Sequence, residues 1–130
     1  MKIHHVGYLT KNIEKAESAF ERLGFVVEEP AQKDEIRDII ITFMVNGDYR
    51  VELIQPRDKE SPMYPLLKNY KNTPYHFCYE VPDIDEAIAE LENSGYMVIQ
   101  APKEAPCING QKVSFLLAAD MGIIELLEVD

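Results

Sequence analysis

The sequence predicts an α+β fold made of two tandem β-α-β-β-β units, joined into a curved mixed sheet with a concave site. Three observations carry this. The chain repeats itself: shifted by 71 positions, His5-Val6-Gly7-Tyr8 falls on His76-Phe77-Cys78-Tyr79, and Ile13, Ala16, Glu21, Gly24 and Val27 fall on Ile84, Ala87, Glu92, Gly95 and Val98. Further on, Val51-Glu52-Leu53-Ile54 matches Ile124-Glu125-Leu126-Leu127 at a shift of 73. A repeat of this size is two copies of one supersecondary unit. Second, each copy holds one stripe of apolar residues at helical spacing, and third, the rest is short β-rich runs.

The first repeat, about residues 1–60, opens with a strand over Lys2–Leu9. A helix follows from Ile13 to Leu23, with Ile13, Ala16, Phe20 and Leu23 on one face, Asn12 as N-cap and Gly24 as the left-handed residue after it. Phe25–Glu28 reads as a strand and the polar stretch Glu29–Glu35, with Pro30, as a loop. Arg37–Val45 and Tyr49–Gln55 are strands joined by the turn Asn46-Gly47-Asp48, and Pro56 ends the second. Ser61-Pro62 looks like an N-cap with Pro at the first helical position, so a short helix over Met63–Tyr70 links the halves.

The second repeat, about 73–130, keeps the order. His76–Val81 is a strand, and Asp83 with Glu86 makes a capping box for a helix that carries Ile84, Ala87, Ile88 and Leu91 and stops at Gly95. Tyr96–Gln100 is a strand and Ala101–Gly110, with two prolines, a loop. Lys112–Leu117 and Gly122–Val129 are the last strands.

Composition narrows function. At 130 residues and 46% hydrophobic, the chain is one ordinary globular domain. No apolar run approaches the ~20 residues of a membrane span. The N-terminus lacks a signal-like apolar stretch, so a cytoplasmic protein is expected. Thirteen basic against 23 acidic residues give a net charge of −10 without a basic stripe, which argues against nucleic acid and anionic membranes as partners. Cys78 and Cys107 are too few and too far apart for a disulfide framework or a thiolate zinc site.

The residues kept by the repeat include two His and two Glu, metal-ligand types that make poor core. Side chains alternate along a strand. Val6 and Tyr8 therefore share the helix-packing face while His5 and Gly7 take the other, and Phe77 and Tyr79 are separated from His76 and Cys78 in the same way. Glu52 between Val51 and Leu53, and Glu125 between Ile124 and Leu126, also point away from the helices. His4 falls on the wrong face. Singly, such residues are surface or hydrogen-bonded groups; in repeat register, His5, Glu52, His76 and Glu125 form a ligand set for one divalent cation of the Zn, Ni, Co, Mn or Fe(II) type. Four ligands on an octahedral ion leave two positions for water or substrate. Cys78 reads as a small buried core residue.

At Ile3-His4-His5-Val6-Gly7, Val51-Glu52-Leu53-Ile54-Gln55-Pro56, Tyr75-His76-Phe77-Cys78-Tyr79-Glu80-Val81 and Gly122-Ile123-Ile124-Glu125-Leu126, the chain resembles the vicinal oxygen chelate (glyoxalase/bleomycin resistance/dioxygenase) superfamily over nearly its whole length. Within it the chain looks most like methylmalonyl-CoA epimerases, with bacterial-type lactoylglutathione lyase (glyoxalase I), which shares the order His5, Glu52, His76, Glu125, as the alternative. The resemblance implies a metal-dependent epimerase, isomerase or lyase that takes a proton from the carbon next to a carbonyl of a small acyl thioester. Glu125 is expected as ligand and general base, and Glu52 as ligand and partner on the opposite face of that carbon. A base outside the ligand set stays open. Arg37, or a lysine such as Lys112, is a substrate-anion candidate against the simpler reading of a solvated side chain. A homodimer with a small-molecule substrate is also implied. Competing classes are a metal-free binding protein of the same superfamily, which needs none of the four ligands, an Fe(II) extradiol dioxygenase, which uses three, and a purely structural protein.

Overall fold

The computed structural model describes residues 1–61 and 64–130. It contains eight strands and three helices: β1 (Lys2–Leu9), α1 (Ile13–Arg22), β2 (Val26–Asp34), β3 (Ile39–Asn46), β4 (Tyr49–Pro56), α2 (Tyr64–Tyr70), β5 (Thr73–Val81), α3 (Ile84–Asn93), β6 (Met97–Glu104), β7 (Lys112–Ala118) and β8 (Gly122–Glu128), with a short 3₁₀ turn at Pro106–Ile108. The chain divides into two compact units, one of residues 5–75 and one of residues 1–4 with 76–130.

In the first unit the strands lie in the order β2-β3-β4-β1. β1 and β4 are parallel, and β4-β3 and β3-β2 antiparallel. A parallel neighbour requires a crossover, which α1 begins. Asn12 caps α1 by accepting from Lys15 N, and Gln55 Oε1 at the end of β4 accepts from Ile13 N at 2.8 Å. Two of the four amides left bare at this helix start are thus satisfied, one of them by the strand that the helix must face. Gly24, at φ +96°, follows the C-cap Leu23. Ile13, Met44, Val51 and Leu53 form the buried centre, with Tyr8, Ala16, Phe20, Phe25 and Ile40 against it. Tyr8, Phe20 and Phe25 stack edge to face, with centroids 5.1 Å apart.

The second unit repeats this in detail. Its order is β5-β8-β7-β6, with β5 and β8 parallel. Asp83 accepts from Glu86 N, and Glu128 Oε2, the counterpart of Gln55, accepts from Ile84 N at 3.0 Å. Val81, Ile84, Ala87, Leu116, Ile124 and Leu126 form its buried centre.

The second strand of each unit departs from expectation in the same place twice. β2 runs through Pro30 to Asp34 and β6 through Pro102 to Glu104, where loops were expected. Both are the outermost strands of their units, and an edge strand tolerates a residue without an N–H. Both also carry irregular register, at Val27/Glu29 and Glu29/Gln32 in β2 and at Val98/Gln100 and Gln100/Lys103 in β6. Strand β3 correspondingly starts at Ile39, after a turn in which Asp38 takes φ +55°. The linking helix is described from Tyr64; its expected start at Pro62 and Met63 lies outside the described residues. Among the described residues no helix is long and apolar enough to cross a membrane.

Candidate functional site

The strands that deliver the four candidate ligands are fixed by packing on their other face. Val51 and Leu53 flank Glu52 and both sit in the core beneath α1. Ile124 and Leu126 flank Glu125 and sit in the core beneath α3. Strand alternation then turns each Glu to the opposite side. A one-residue slip of β4 or β8 would exchange a carboxylate for core leucine or isoleucine, so the apolar pattern sets the register.

In the first unit Gly7 on β1 is the Cα partner of Glu52 on β4, so a residue without a side chain lies beside the carboxylate. His5 is two residues earlier on the same face of β1. Its Nε2 lies 3.4 Å from Glu52 Oε1, with the two side chains 0% and 5% exposed. In the second unit Cys78 on β5 faces Glu125 on β8, and His76 Nε2 lies 3.0 Å from Glu125 Oε1, again with side chains 0% and 5% exposed. Each unit thus buries one imidazole and one carboxylate from two parallel strands, in the same arrangement.

Buried carboxylates are costly, and pairing with an imidazole offsets only part of that cost. The donor set suits a borderline divalent cation: nitrogen and oxygen at bond lengths of about 2.1 Å. Two ligands on one ion then lie about 3.0 Å apart at a right angle and about 3.4 Å apart at a tetrahedral angle. The two Nε2–Oε1 spacings fall at these values. Such spacings are compatible with neighbouring ligands of one cation and equally with an imidazole–carboxylate hydrogen bond, which joins His76 to Glu125.

Phenylalanines complete each pair. Phe43 on β3 is the Cα partner of Glu52 and meets the His5 ring edge to face, centroids 5.5 Å apart. Phe115 on β7 is the Cα partner of Glu125 and meets the His76 ring at 5.3 Å. These rings orient the imidazoles and lower the polarity around the carboxylates. Sequence reasoning missed them because they repeat at a shift of 72, between the two registers that the ligands follow.

The other candidates are placed as follows. Arg37 lies in the turn after β2, 9% exposed, with its backbone N–H and Nη1 both donating to the buried Asp34 carboxylate, at 3.0 and 2.9 Å. Lys112 is exposed. Cys78 is fully buried on the same strand face as His76. His4 is half-buried.

A model of the Glyoxalase/Bleomycin resistance protein/Dioxygenase superfamily matches residues 4–115, and the chain belongs to this superfamily. Among curated proteins it is 28% identical over 129 residues to the mitochondrial methylmalonyl-CoA epimerase of Bos taurus, covering 96% of this chain and 73% of that protein. Among solved structures it resembles a hypothetical protein from Bacillus halodurans, with a TM-score of 0.86, 23% identity and coverage of 99% and 94%. It also resembles methylmalonyl-CoA epimerase from Mycobacterium tuberculosis, with a TM-score of 0.85, 17% identity and coverage of 98% and 87%. The chain therefore has the α+β, glyoxalase-like fold that the family resemblance implied.

Proposed function

We propose that the protein is a metal-dependent epimerase of a small acyl thioester, like methylmalonyl-CoA epimerase, with His5, Glu52, His76 and Glu125 as the ligands of one divalent cation. The observation that supports this most is the duplicated, buried imidazole–carboxylate pair with ligand-like spacing. Relatives named as methylmalonyl-CoA epimerases favour the thioester substrate.

The bound cation would act as a Lewis acid toward two substrate oxygens, a contribution of several kcal/mol. The chain's own groups do the rest. His5 and His76 present Nε2 from strands held rigid by the two cores. Glu125 accepts the proton from the carbon next to the carbonyl, Glu52 in its protonated form delivers one to the opposite face, and proton exchange with solvent then restores both carboxyl groups. The carbon–hydrogen bond broken on one side is replaced on the other, so the stereocentre inverts and no group is gained or lost. Phe43 and Phe115 keep bulk water from the carboxylates between the two transfers.

The order His, Glu, His, Glu also fits a lactoylglutathione lyase, and the retained carboxylate Glu52 favours this as the second reading. Metal-loaded protein in D₂O, given methylmalonyl-CoA, should wash deuterium into the methine position. Exchange only with the hemithioacetal of glutathione would select the lyase. Exchange with neither would refute both. A homodimer in the cytoplasm belongs to the same reading and is checked by sedimentation and cell fractionation.

A further inference from the structure

The two units carry opposite chemistry at one set of equivalent positions. In the first unit these are Val26, Glu28, Val45 and Arg50, and in the second Met97, Ile99, Leu117 and Ile123, related by the shifts of 71 to 73 that run through the chain. Glu28 and Arg50 join in an ion pair, with Arg50 Nε donating to Glu28 Oε1 at 2.8 Å. The second unit has isoleucine at both places. Its outermost strand, β6, carries Ile99 and Gln100 where β2 has Glu28 and Glu29, so this stretch lacks the charges that commonly guard a sheet edge.

Register places the apolar residues in a row. Ile123 on β8 is the Cα partner of Leu117 on β7, and Leu117 is the Cα partner of Met97 on β6. Directly paired residues share a sheet face. Phe115, the partner of Glu125, lies two residues before Leu117, so the row shares the face of Glu125. It begins about 7 Å from Glu125, two residues along β8, and crosses three strands, a span of about 10 Å. The core beneath α3 takes Val98, Leu116 and Ile124 from the opposite face. Met97 is 59% and Ile99 47% exposed, and Leu117 and Ile123 are half-buried. A contiguous apolar strip open to solvent beside buried polar groups marks a ligand groove.

The chemistry of the row selects its occupant. Methionine, leucine and isoleucine side chains offer no charge and no strong donor or acceptor, so they suit neither a phosphate nor the amide-rich arm of a thioester carrier. They suit an aliphatic chain, and the unbranched Met97 adapts to chains of different length. We propose that this row binds an alkyl chain on the acyl group of the thioester, so that the protein favours substrates with a longer aliphatic substituent on the reacting carbon over the methyl-substituted one. The proposal rests on the epimerase reading above for the reaction, but chain binding is measurable without metal or turnover.

The test uses the full chain, metal-free and ¹³C-labelled at its Met, Leu and Ile methyl groups, titrated with the neutral N-acetylcysteamine thioesters of acetic, butyric and hexanoic acids. The Met97, Leu117 and Ile123 methyl signals should shift, and affinity should rise about two- to fourfold for each added methylene. The double variant Ile99→Glu with Ile123→Arg copies the first unit, so it should fold and lose that gain. Met97→Gln, at an exposed edge position, disturbs no core and should reduce the gain as well. Affinity independent of chain length, shifts confined to other methyl groups, or a gain unchanged in both variants overturns the proposal. So do shifts of the same methyl signals on dilution without ligand, which would mark a contact between two copies of the chain. Deuterium exchange by zinc-loaded protein at equal kcat/KM for methylmalonyl-CoA and butylmalonyl-CoA would overturn the proposal and leave the epimerase reading intact. Chain-length-dependent binding with no exchange on either thioester would overturn the epimerase reading alone.

Discussion

Replacing Glu52 by Gln separates a metal ligand from a structural ion pair, because the two roles predict opposite signs. The side chain is 5% exposed and its Oε1 lies 3.4 Å from His5 Nε2, longer than a strong charge-assisted hydrogen bond. Burying a carboxylate costs several kcal/mol, and pairing with an imidazole offsets only part of it. Glutamine has the same shape, so no cavity is created. Metal-free Glu52→Gln should therefore be at least as stable as the parent, with a gain of about 1–2 kcal/mol. For a domain of this length that raises the melting temperature by about 3–8 °C. With metal the sign reverses. The parent gains about 2.7 kcal/mol at a free metal concentration 100 times Kd, and the variant, short of one anionic ligand, loses most of that gain. Urea unfolding in chelator and again at fixed free zinc measures both. A metal-free variant weakened by more than about 1 kcal/mol, with equal metal shifts in the two proteins, would refute the reasoning.

Other expectations follow from the same structure. Glu125→Gln should abolish deuterium exchange on the substrate while the far-ultraviolet circular dichroism stays unchanged; full turnover would remove Glu125 from the proton path. Leu53→Ala, at a fully buried position beneath α1, should cost about 2–5 kcal/mol in denaturant unfolding and lower metal affinity as well, since Leu53 holds the register of Glu52. Asn12→Ala should cost about 1 kcal/mol by loss of the bond to Lys15 N, with metal affinity unchanged. Phe43→Leu should weaken metal binding more than it lowers the stability of the metal-free protein, measured by competition with a chromophoric chelator; the reverse ranking would make Phe43 core filling only.

The sequence made the helices legible at both ends. Asn12 and Asp83 cap as their types suggest, and Gly24 and Gly95 take the left-handed turns after the helices. The face of each candidate ligand was also legible, because Val51, Leu53, Ile124 and Leu126 are unambiguous core and alternation leaves Glu52 and Glu125 no other direction. The edge strands were not. Pro30 and Pro102 read as strand breakers unless it is known that β2 and β6 are outermost, and that is decided by tertiary pairing. The bulge at Glu28 was invisible for the same reason: only the register of β2 against β3 reveals the extra residue. The matched caps Gln55 and Glu128 were hidden because they join a strand end to a helix start 42 and 44 residues away.

Cobalt(II) titrated into the metal-free protein asks the main question directly, through the bound-metal absorption and the end point. One cobalt per chain, lost equally by His5→Ala and by His76→Ala, is the expected result. Two independent ions per chain, each lost by only one of these substitutions, or no binding at all, would contradict a single centre held by both imidazole–carboxylate pairs.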